Sequence, residues 1–416
     1  MQTILFYAYC LTGPGAWLAM FVLLLLGRRR MTRLLHTRAA MPPVPPPVTI
    51  LVPAKDEAAG IRKCVERILA QDYPNFSVVA VDDRSTDGTG AILDELAREH
   101  GELVSVTHVG QGGLPDGWLG KCHALHVAAR AADGEWILFV DSDVTLEPNA
   151  LSRSLSLAVA RKYDALSILT RLECDGFWDR LILPLAAGAW SVMHAVSLTN
   201  DDRRTRSAAA NGQFFLIRRS AYEAVGGHES VRAQITEDVE LMRHLKGRGF
   251  RTRFLLGSHL AATRMHSSLR QMFHGWARIY SGTSRRSPWR ILGAMTFLIL
   301  CGFTLYPALV WGVTGASLSR DFDWLIASGA HALLMTGYLA LIYHWSGNRA
   351  RFAWLFPLSG GVLLAILAFA LRTCRTGGIN WRETHFQIPV HASIHKELNH
   401  EAAKPRSDAP NPKPAS

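Results

Sequence analysis

The chain has 416 residues, 49% of them hydrophobic and only 19% charged. A soluble globular domain usually carries charge nearer a quarter, so the composition argues against a wholly soluble protein and for a soluble middle between apolar ends. The net charge of +11 invites a nucleic-acid partner, but no helix-turn-helix, zinc-finger or RNA-binding signature accompanies it, and no nucleic acid is expected.

Residues 4–26 are almost wholly apolar and uncharged, long enough to cross a bilayer. The basic residues Arg28, Arg29, Arg30, Arg33 and Arg38 follow this run rather than precede it. That order predicts an uncleaved anchor (residues 1–27) with its C-terminal end in the cytoplasm, and arginines there can also hold anionic headgroups. The segment 28–47 reads as a basic, proline-rich linker, because five prolines within 41–48 keep it stiff and extended. Cys10, Cys64, Cys122, Cys174, Cys301 and Cys374 form no CxxC pair, which fits free thiols in a reducing compartment.

From residue 48 the pattern alternates. Strands are predicted at 48–53, 77–82, 103–108, 136–141, 213–218 and 251–256, and helices at 58–70, 88–99, 120–132 and 238–247, the last with Thr236 as N-cap. Strands alternating with helices imply a mostly parallel α/β sheet covered on both faces, in one domain over 48–288. Ligands of such sheets bind outside the carboxyl ends of the strands. Residues 177–198 read as a helix lying in the membrane surface, with a buried core helix as the alternative. Three apolar segments follow, 291–318, 324–345 and 353–371, within a membrane region 289–372. Arg349 and Arg351 mark the loop between the last two as cytoplasmic. Three crossings would put the tail (373–416) outside, whereas Arg372, Arg375 and Arg382 argue for a tail inside, so one segment is re-entrant or interfacial. The end of the tail has little to bury and reads as disordered.

Four acidic clusters occupy the ends of predicted elements: Asp56-Glu57, Asp82-Asp83, Asp141-Ser142-Asp143 and Glu237-Asp238. Alternate aspartates after an apolar strand can point one carboxylate at a ribose and the other at a hard cation, Mg2+ or Mn2+, which takes oxygen ligands and tolerates phosphate as a partner. The plain alternative is a turn with capping aspartates. Asp82 or Asp83 can accept from a base N–H, while Asp56 and Glu57, after Pro53, reach the nucleoside from a neighbouring strand end. Gly117-Trp118-Leu119-Gly120-Lys121 opens a helix and places Lys121 to meet a diphosphate near its positive end. Asp238 is the best candidate for a general base, since transfer to a hydroxyl needs a carboxylate within hydrogen-bond reach. His123 and His126 lack a third ligand and are read as surface or core residues, and the glycine-rich stretch 110–113 is no Walker loop.

Taken in order across about 48–280, this set resembles glycosyltransferase family 2, with its GT-A fold. The resemblance implies that Pro53, Asp56 and Glu57 belong to the nucleotide loop, that Asp82 and Asp83 contact the base, that Asp141 and Asp143 are the metal-binding DxD, and that Asp238 is the base beside Glu237. The Gly-Trp-Leu-Gly-Lys motif and the apolar tail look most like the membrane-bound, lipid-directed members: hopene-associated, carotenoid (diaponeurosporenoate) and ceramide glycosyltransferases. One departure stands out. Where processive relatives and ceramide glucosyltransferases carry (Q/R)xxRW, this chain reads Met272-Phe273-His274-Gly275-Trp276. Trp276 is then the acceptor platform without its arginine, Gln271 and His274 flank it, and Arg278, Arg285 and Arg286 are nearby substitutes for phosphate contact.

The expectation is therefore a multi-pass enzyme of the cell membrane with its catalytic domain in the cytoplasm. It would move a hexose, with inversion, from a UDP-sugar such as UDP-glucose to the hydroxyl of a hopanoid, carotenoid or sphingolipid-like acceptor. The rivals are a polyprenyl-phosphate glycosyltransferase, a sugar nucleotidyltransferase, for which residues 54–57 lack the glycine-rich basic loop, and a non-catalytic membrane scaffold.

Overall fold

The computed structural model describes residues 2–35, 39–110, 113–265, 268–376, 378–381 and 384–387. Arg38, Arg382, residues 111–112 and the tail beyond 387 lie outside the described residues, as do the side chains of Arg28, Arg29, Arg30, Arg33 and Arg375.

Twelve strands are described: β1 (Val48–Ala54), β2 (Phe76–Asp82), β3 (Val104–His108), β4 (Trp136–Phe139), β5 (Val144–Leu146), β6 (Ala165–Leu169), β7 (Arg171–Leu172), β8 (Phe215–Arg218), β9 (Thr252–Leu256), β10 (Ala261–Thr263), β11 (Gly378–Trp381) and β12 (Thr384–Gln387). Seven form the central sheet in the order β3-β2-β1-β4-β8-β6-β9. The pairs β1–β2, β2–β3, β1–β4 and β6–β9 are parallel, as expected, whereas β8 runs antiparallel to both β4 and β6. The chain leaves β1 toward β2 and β3 and returns on the other flank as β4, so the strand order reverses between β1 and β4. A crevice outside the strand ends at such a point is the usual ligand site.

Strand periodicity divides the core in two. Ile50, Val52, Val78, Ala80, Leu138 and Leu216 face a cluster with Ile61, Val65, Leu93 and Leu155 from the helices Ile61–Leu69, Thr89–His100 and Ala150–Arg161. Their neighbours Leu51, Val79, Val81, Ile137, Phe139 and Ile217 face Leu125, Ala128, Ala221 and Leu241 from Gly120–Ala131, Arg219–Ala224 and Glu237–Gly247. Every other residue thus enters the opposite layer, as a sheet covered on both faces requires. A small sheet, β5-β10-β7, flanks the first and carries the chain away from Asp143.

Among the described residues, four helices are long and apolar enough to cross a membrane: Gln2–Gly27, Pro288–Leu318, Asp323–Trp345 and Ala350–Cys374. They share an apolar cluster with the middle of the helix Phe177–Met193, whose residues Leu181 to Ala186 are buried. The buried-helix alternative therefore holds for that stretch, while Phe177 and Trp178 stay exposed at its start. Tyr280 donates to the carbonyl of Ala186 (2.8 Å), and Tyr343 donates to that of Leu181, pinning this helix from both sides. A polar node joins the first three membrane helices. His331 is fully buried, with Nδ1 2.9 Å from the Tyr9 hydroxyl and Nε2 2.8 Å from the carbonyl oxygen of Cys301. The indole of Trp17 donates to the same carbonyl. That carbonyl lies in a π-helical turn, Ile299–Phe303, where the helical ladder is interrupted.

Candidate active site

The site is built where β1, β2 and β4 end. Pro53 falls beyond the last β1–β4 pair, Leu51 with Phe139, so its missing N–H interrupts no ladder between those strands. The chain then turns through Asp56 at φ 52°. The loops after β1 and β2 are laced together. Asp56 Oδ1 accepts from the Thr86 N–H (2.8 Å), the Glu57 N–H donates to Thr89 Oγ1 (2.8 Å), and the Ala58 N–H donates to Asp87 Oδ2 (2.9 Å). These bonds fix the position of both acidic loops before any ligand arrives.

Asp82 and Asp83 do different things. Asp82 accepts from the Ser85 N–H (3.2 Å) and lies 3.1 Å from Nδ1 of His108, whose Nε2 reaches Asp94 (2.8 Å). Those two carboxylates, Asp94 first, raise the His108 imidazole above its ordinary range. Asp83 turns toward the start of the helix Gly120–Ala131. Its Oδ1 holds the Arg84 guanidinium at 2.6 Å and 2.8 Å. Its Oδ2 lies 3.0 Å from where a Cβ on Gly120 would stand. Glycine at 120 is what allows this close approach.

Lys121 follows at once, and its ammonium bridges Asp141 Oδ1 (2.8 Å) and Glu237 Oε1 (2.9 Å). Burial works against that charge, but Asp141, Glu237 and Asp238 hold its pKa well above the ordinary value. One cation therefore ties the end of β4 to the start of the helix Glu237–Gly247. Asp143 stands on the far side of Asp141. Burial first, then the charges of Asp141 and Glu57, push its carboxyl up to about 7. Its Oδ1 is buried and, among the described residues, has no hydrogen-bond partner. An orphaned buried carboxylate oxygen is costly, and a hard divalent cation is the chemistry that satisfies it. Among the described residues no three His, Cys, Asp or Glu side chains gather into a metal cage. Mg2+ and Mn2+ bound with a nucleotide need only one or two carboxylates, because phosphates and water complete the shell. The residues present fit that pattern.

Asp238 is held by its surroundings. The Gly212 N–H donates to Oδ2 and the Val239 N–H to Oδ1, both at 2.8 Å. Burial and the neighbouring Glu237 nevertheless push its carboxyl up to about 7. Thr236 is the N-cap residue, as predicted, but its side chain makes no capping bond.

Gly212 was not legible as part of the site. A Cβ there would lie 3.1 Å from Lys121 Nζ and 3.7 Å from both Asp238 Oδ2 and Glu237 Oε1. The available signal is the Asn211-Gly212 pair before a strand, a turn signature that says nothing of what the turn touches. The acceptor-side residues lie on the helix Leu269–Thr283. Trp276 is 4% exposed, sits in the membrane-facing apolar cluster beside Tyr280, and has a buried indole N–H without an acceptor. His274 is exposed, with its ring 5.1 Å from that of Phe369, and Gln271 is exposed one turn earlier. Arg285 is spent on Glu240, at 3.1 Å for both contacts.

A family model described as "Glycosyltransferase like family 2" matches residues 45–282. The chain is 31% identical over 201 residues to a beta-monoglucosyldiacylglycerol synthase of Synechocystis sp., covering 47% of this chain and 39% of that relative. It is 28% identical over 304 residues to a 4,4'-diaponeurosporenoate glycosyltransferase of Staphylococcus aureus (strain USA300), covering 71% of this chain and 75% of that one. The chain thus spans less than half the length of the first relative and three quarters of the second. Among solved structures, the mannosyltransferase PcManGT from Pyrobaculum calidifontis in complex with GDP-Man and Mn2+ superposes with a TM-score of 0.50 at 18% identity, covering 87% of this chain and 97% of that one; at that identity the likeness speaks for the fold alone. Sheet topology, the acidic strand ends and a family match over more than half its length together make this chain a member of the glycosyltransferase-like family 2, with the GT-A fold.

Proposed function

We propose that this glycosyltransferase transfers a hexose from a nucleotide-sugar, UDP-glucose being the leading donor, to a hydroxyl of a lipid acceptor, with inversion. The observation that carries the reading is Asp238, a buried carboxylate whose pKa is pushed up to about 7, next to Glu237, which Lys121 bridges to Asp141 at the end of β4. A base poised near the operating pH is the most effective kind. In this reading Asp83, with Asp56 and Glu57 nearby, receives the nucleoside, and Asp141 and Asp143 hold the cation side of the diphosphate. Asp238 takes the proton of the acceptor hydroxyl. Asp141 and Asp143 would hold a divalent cation, which when bound would supply positive charge for the departing nucleotide. Lys121 keeps the donor and acceptor ends of the pocket in register. The names of the two relatives, a glucosyldiacylglycerol synthase and a carotenoid glycosyltransferase, support a lipid acceptor. Trp276, His274 and Gln271, on the helix that packs against the membrane cluster, form its approach.

We place the anchor at 1–27, the linker at 28–47, the catalytic domain at 48–288 on the cytoplasmic side, the membrane region at 289–372 and the tail at 373–416. Two contacts support three crossings rather than four. After the third membrane helix the chain returns to the catalytic domain, where Asn348 Nδ2 meets Cys174 Sγ at 3.5 Å. The fourth helix then ends with Cys374 Sγ 3.4 Å from Ser281 Oγ, again beside the catalytic domain. A helix with both ends on one side lies along the interface, and the basic residues after it stay on the cytoplasmic face.

The test is mass spectrometry of membrane lipids after incubation with a panel of nucleotide-sugars and Mn2+ or Mg2+. The expected product is a hexosylated lipid formed only with metal. A product linked through a phosphate would favour the polyprenyl-phosphate reading, and none from any donor would leave a scaffold.

A further inference from the structure

Two buried polar atoms at the junction of the catalytic domain and the second membrane helix lack any partner. Among the described residues nothing accepts from Nη2 of Arg286 and nothing bonds Oγ1 of Thr283, although both atoms are shielded from solvent. The turn that presents them is strained: Arg285 and Arg286 stand consecutively at φ 52° and 56°, a left-handed pair built from non-glycine residues. It is closed by N–H donation from Arg285 to the Gly282 carbonyl (2.8 Å) and from Arg286 to that of Ser281 (2.9 Å). Arg285 points to Glu240, while Arg286 sits beside Cys374 at the end of the fourth apolar helix. Burial lowers the proton affinity of this guanidinium, and no carboxylate opposes the effect. The second membrane helix begins two residues later. Trp289, in its first turn, is 79% exposed, and Arg290 next to it is exposed as well. An exposed tryptophan at the start of a span marks headgroup depth.

We propose that Arg286, with Thr283 and Arg290, binds the phosphate of an anionic lipid headgroup at the start of the second membrane helix. A guanidinium offers a planar fork that matches two phosphate oxygens, and the Thr283 hydroxyl supplies a further donor. A phosphodiester at headgroup depth satisfies the orphaned Nη2 without entering the catalytic cage. A lipid is favoured over free phosphate because Arg286 lies beside Cys374 at the end of the fourth apolar helix and three residues before the exposed Trp289. The site rests on the helices lying in a bilayer. It does not rest on sugar transfer, so its test reads lipid binding and can fail independently of the catalytic reading.

Native mass spectrometry of the full-length protein in mild detergent, titrated with phosphatidylglycerol or phosphatidylcholine of the same acyl chains, decides the matter. Wild-type protein is expected to prefer phosphatidylglycerol by about fivefold or more, the effect of one basic side chain near a headgroup. R286Q should lose the preference, and R286K, which keeps the charge but not the fork, should retain part of it. Arg203→Gln, a change at an exposed arginine elsewhere on the domain, should leave it intact. Millimolar inorganic phosphate should not displace the lipid. An unchanged preference in R286Q, an equal loss in R203Q, or displacement by inorganic phosphate would each overturn the assignment. So would a raised donor KM in R286Q with its lipid preference intact, since that would return Arg286 to the nucleotide.

Discussion

The catalytic cage and the membrane bundle both bury ionisable side chains, but they treat them differently. In the bundle, His331 has a partner on each ring nitrogen, and the Cys301 carbonyl it meets is shared with Trp17. In the cage, Asp143 keeps an oxygen with no partner, and Asp238 accepts two backbone N–H bonds yet is still driven toward neutrality by burial and Glu237. Satisfied buried polarity fixes architecture, whereas unsatisfied buried polarity waits for something to bind. The difference separates a structural histidine from the candidate catalytic carboxylates without reference to any relative.

The largest effect that would sharpen this contrast is at Asp238. Asp238→Asn should lower kcat by about 10²–10⁴, the range of a lost general base, while the nucleotide Kd from calorimetry stays within about threefold of wild type. Turnover near the wild-type rate would remove the base assignment. Next comes Lys121→Met, which leaves Asp141 and Glu237 facing each other without a cation. Breaking a buried ion pair from one side costs about 3–5 kcal/mol, so chemical denaturation should show a loss of that order, with Lys121→Arg recovering much of it. In the bundle, His331→Leu strands the Tyr9 hydroxyl and should cost about 1–3 kcal/mol, seen as a lower Tm with donor KM unchanged. A change in donor KM there would break the distinction.

The pH dependence of the ligand-free protein tests the same contrast. Asp143 and Asp238 have pKa values raised to about 7 in the fold, against about 4 for an unfolded carboxyl. The folded state therefore binds more protons between those values, and its stability falls as pH rises from about 4 to about 7. Differential scanning fluorimetry should show Tm falling as pH rises from 5 to 8. Mn2+ with a nucleoside diphosphate should restore it, because the cation accepts the charge. A flat or rising Tm would show that these carboxyls are not desolvated as described.

Much of this was legible in the sequence because the acidic clusters are short interruptions of strongly apolar strands. The run before Asp82 and the run before Asp141 could hardly be anything but buried strands, and the loops after them had to carry the polar groups. Other parts were hidden for physical reasons. The helix Ala150–Arg161 buries Ser152, Ser154 and Ser156 along with its leucines, which blurs the apolar stripe. The three strands of the small sheet have three residues or fewer, too short for a periodicity to register, and no strand is predicted at β6. Lys121 was read from its helix start as a diphosphate ligand. Its bonds to Asp141 and Glu237 join residues 20 and 116 positions away, and no local pattern encodes such a contact. The antiparallel β8 likewise depends on how the chain returns across the sheet and not on its own four residues.

The small sheet has a mechanical meaning. β7 lies beside the loop that follows the third membrane helix, where Gly347 stands against Arg171 and Asn348 against Cys174. β7 pairs with β10 at Leu172 and Thr263, and β10 pairs with β5 at Thr263 and Val144, the residue after Asp143. Two rungs of backbone ladder thus link the residue after Asp143 to the strand beside the loop that follows the third membrane helix. A shift of the apolar helices against the seven-stranded sheet would be felt there first, at the residue next to Asp143.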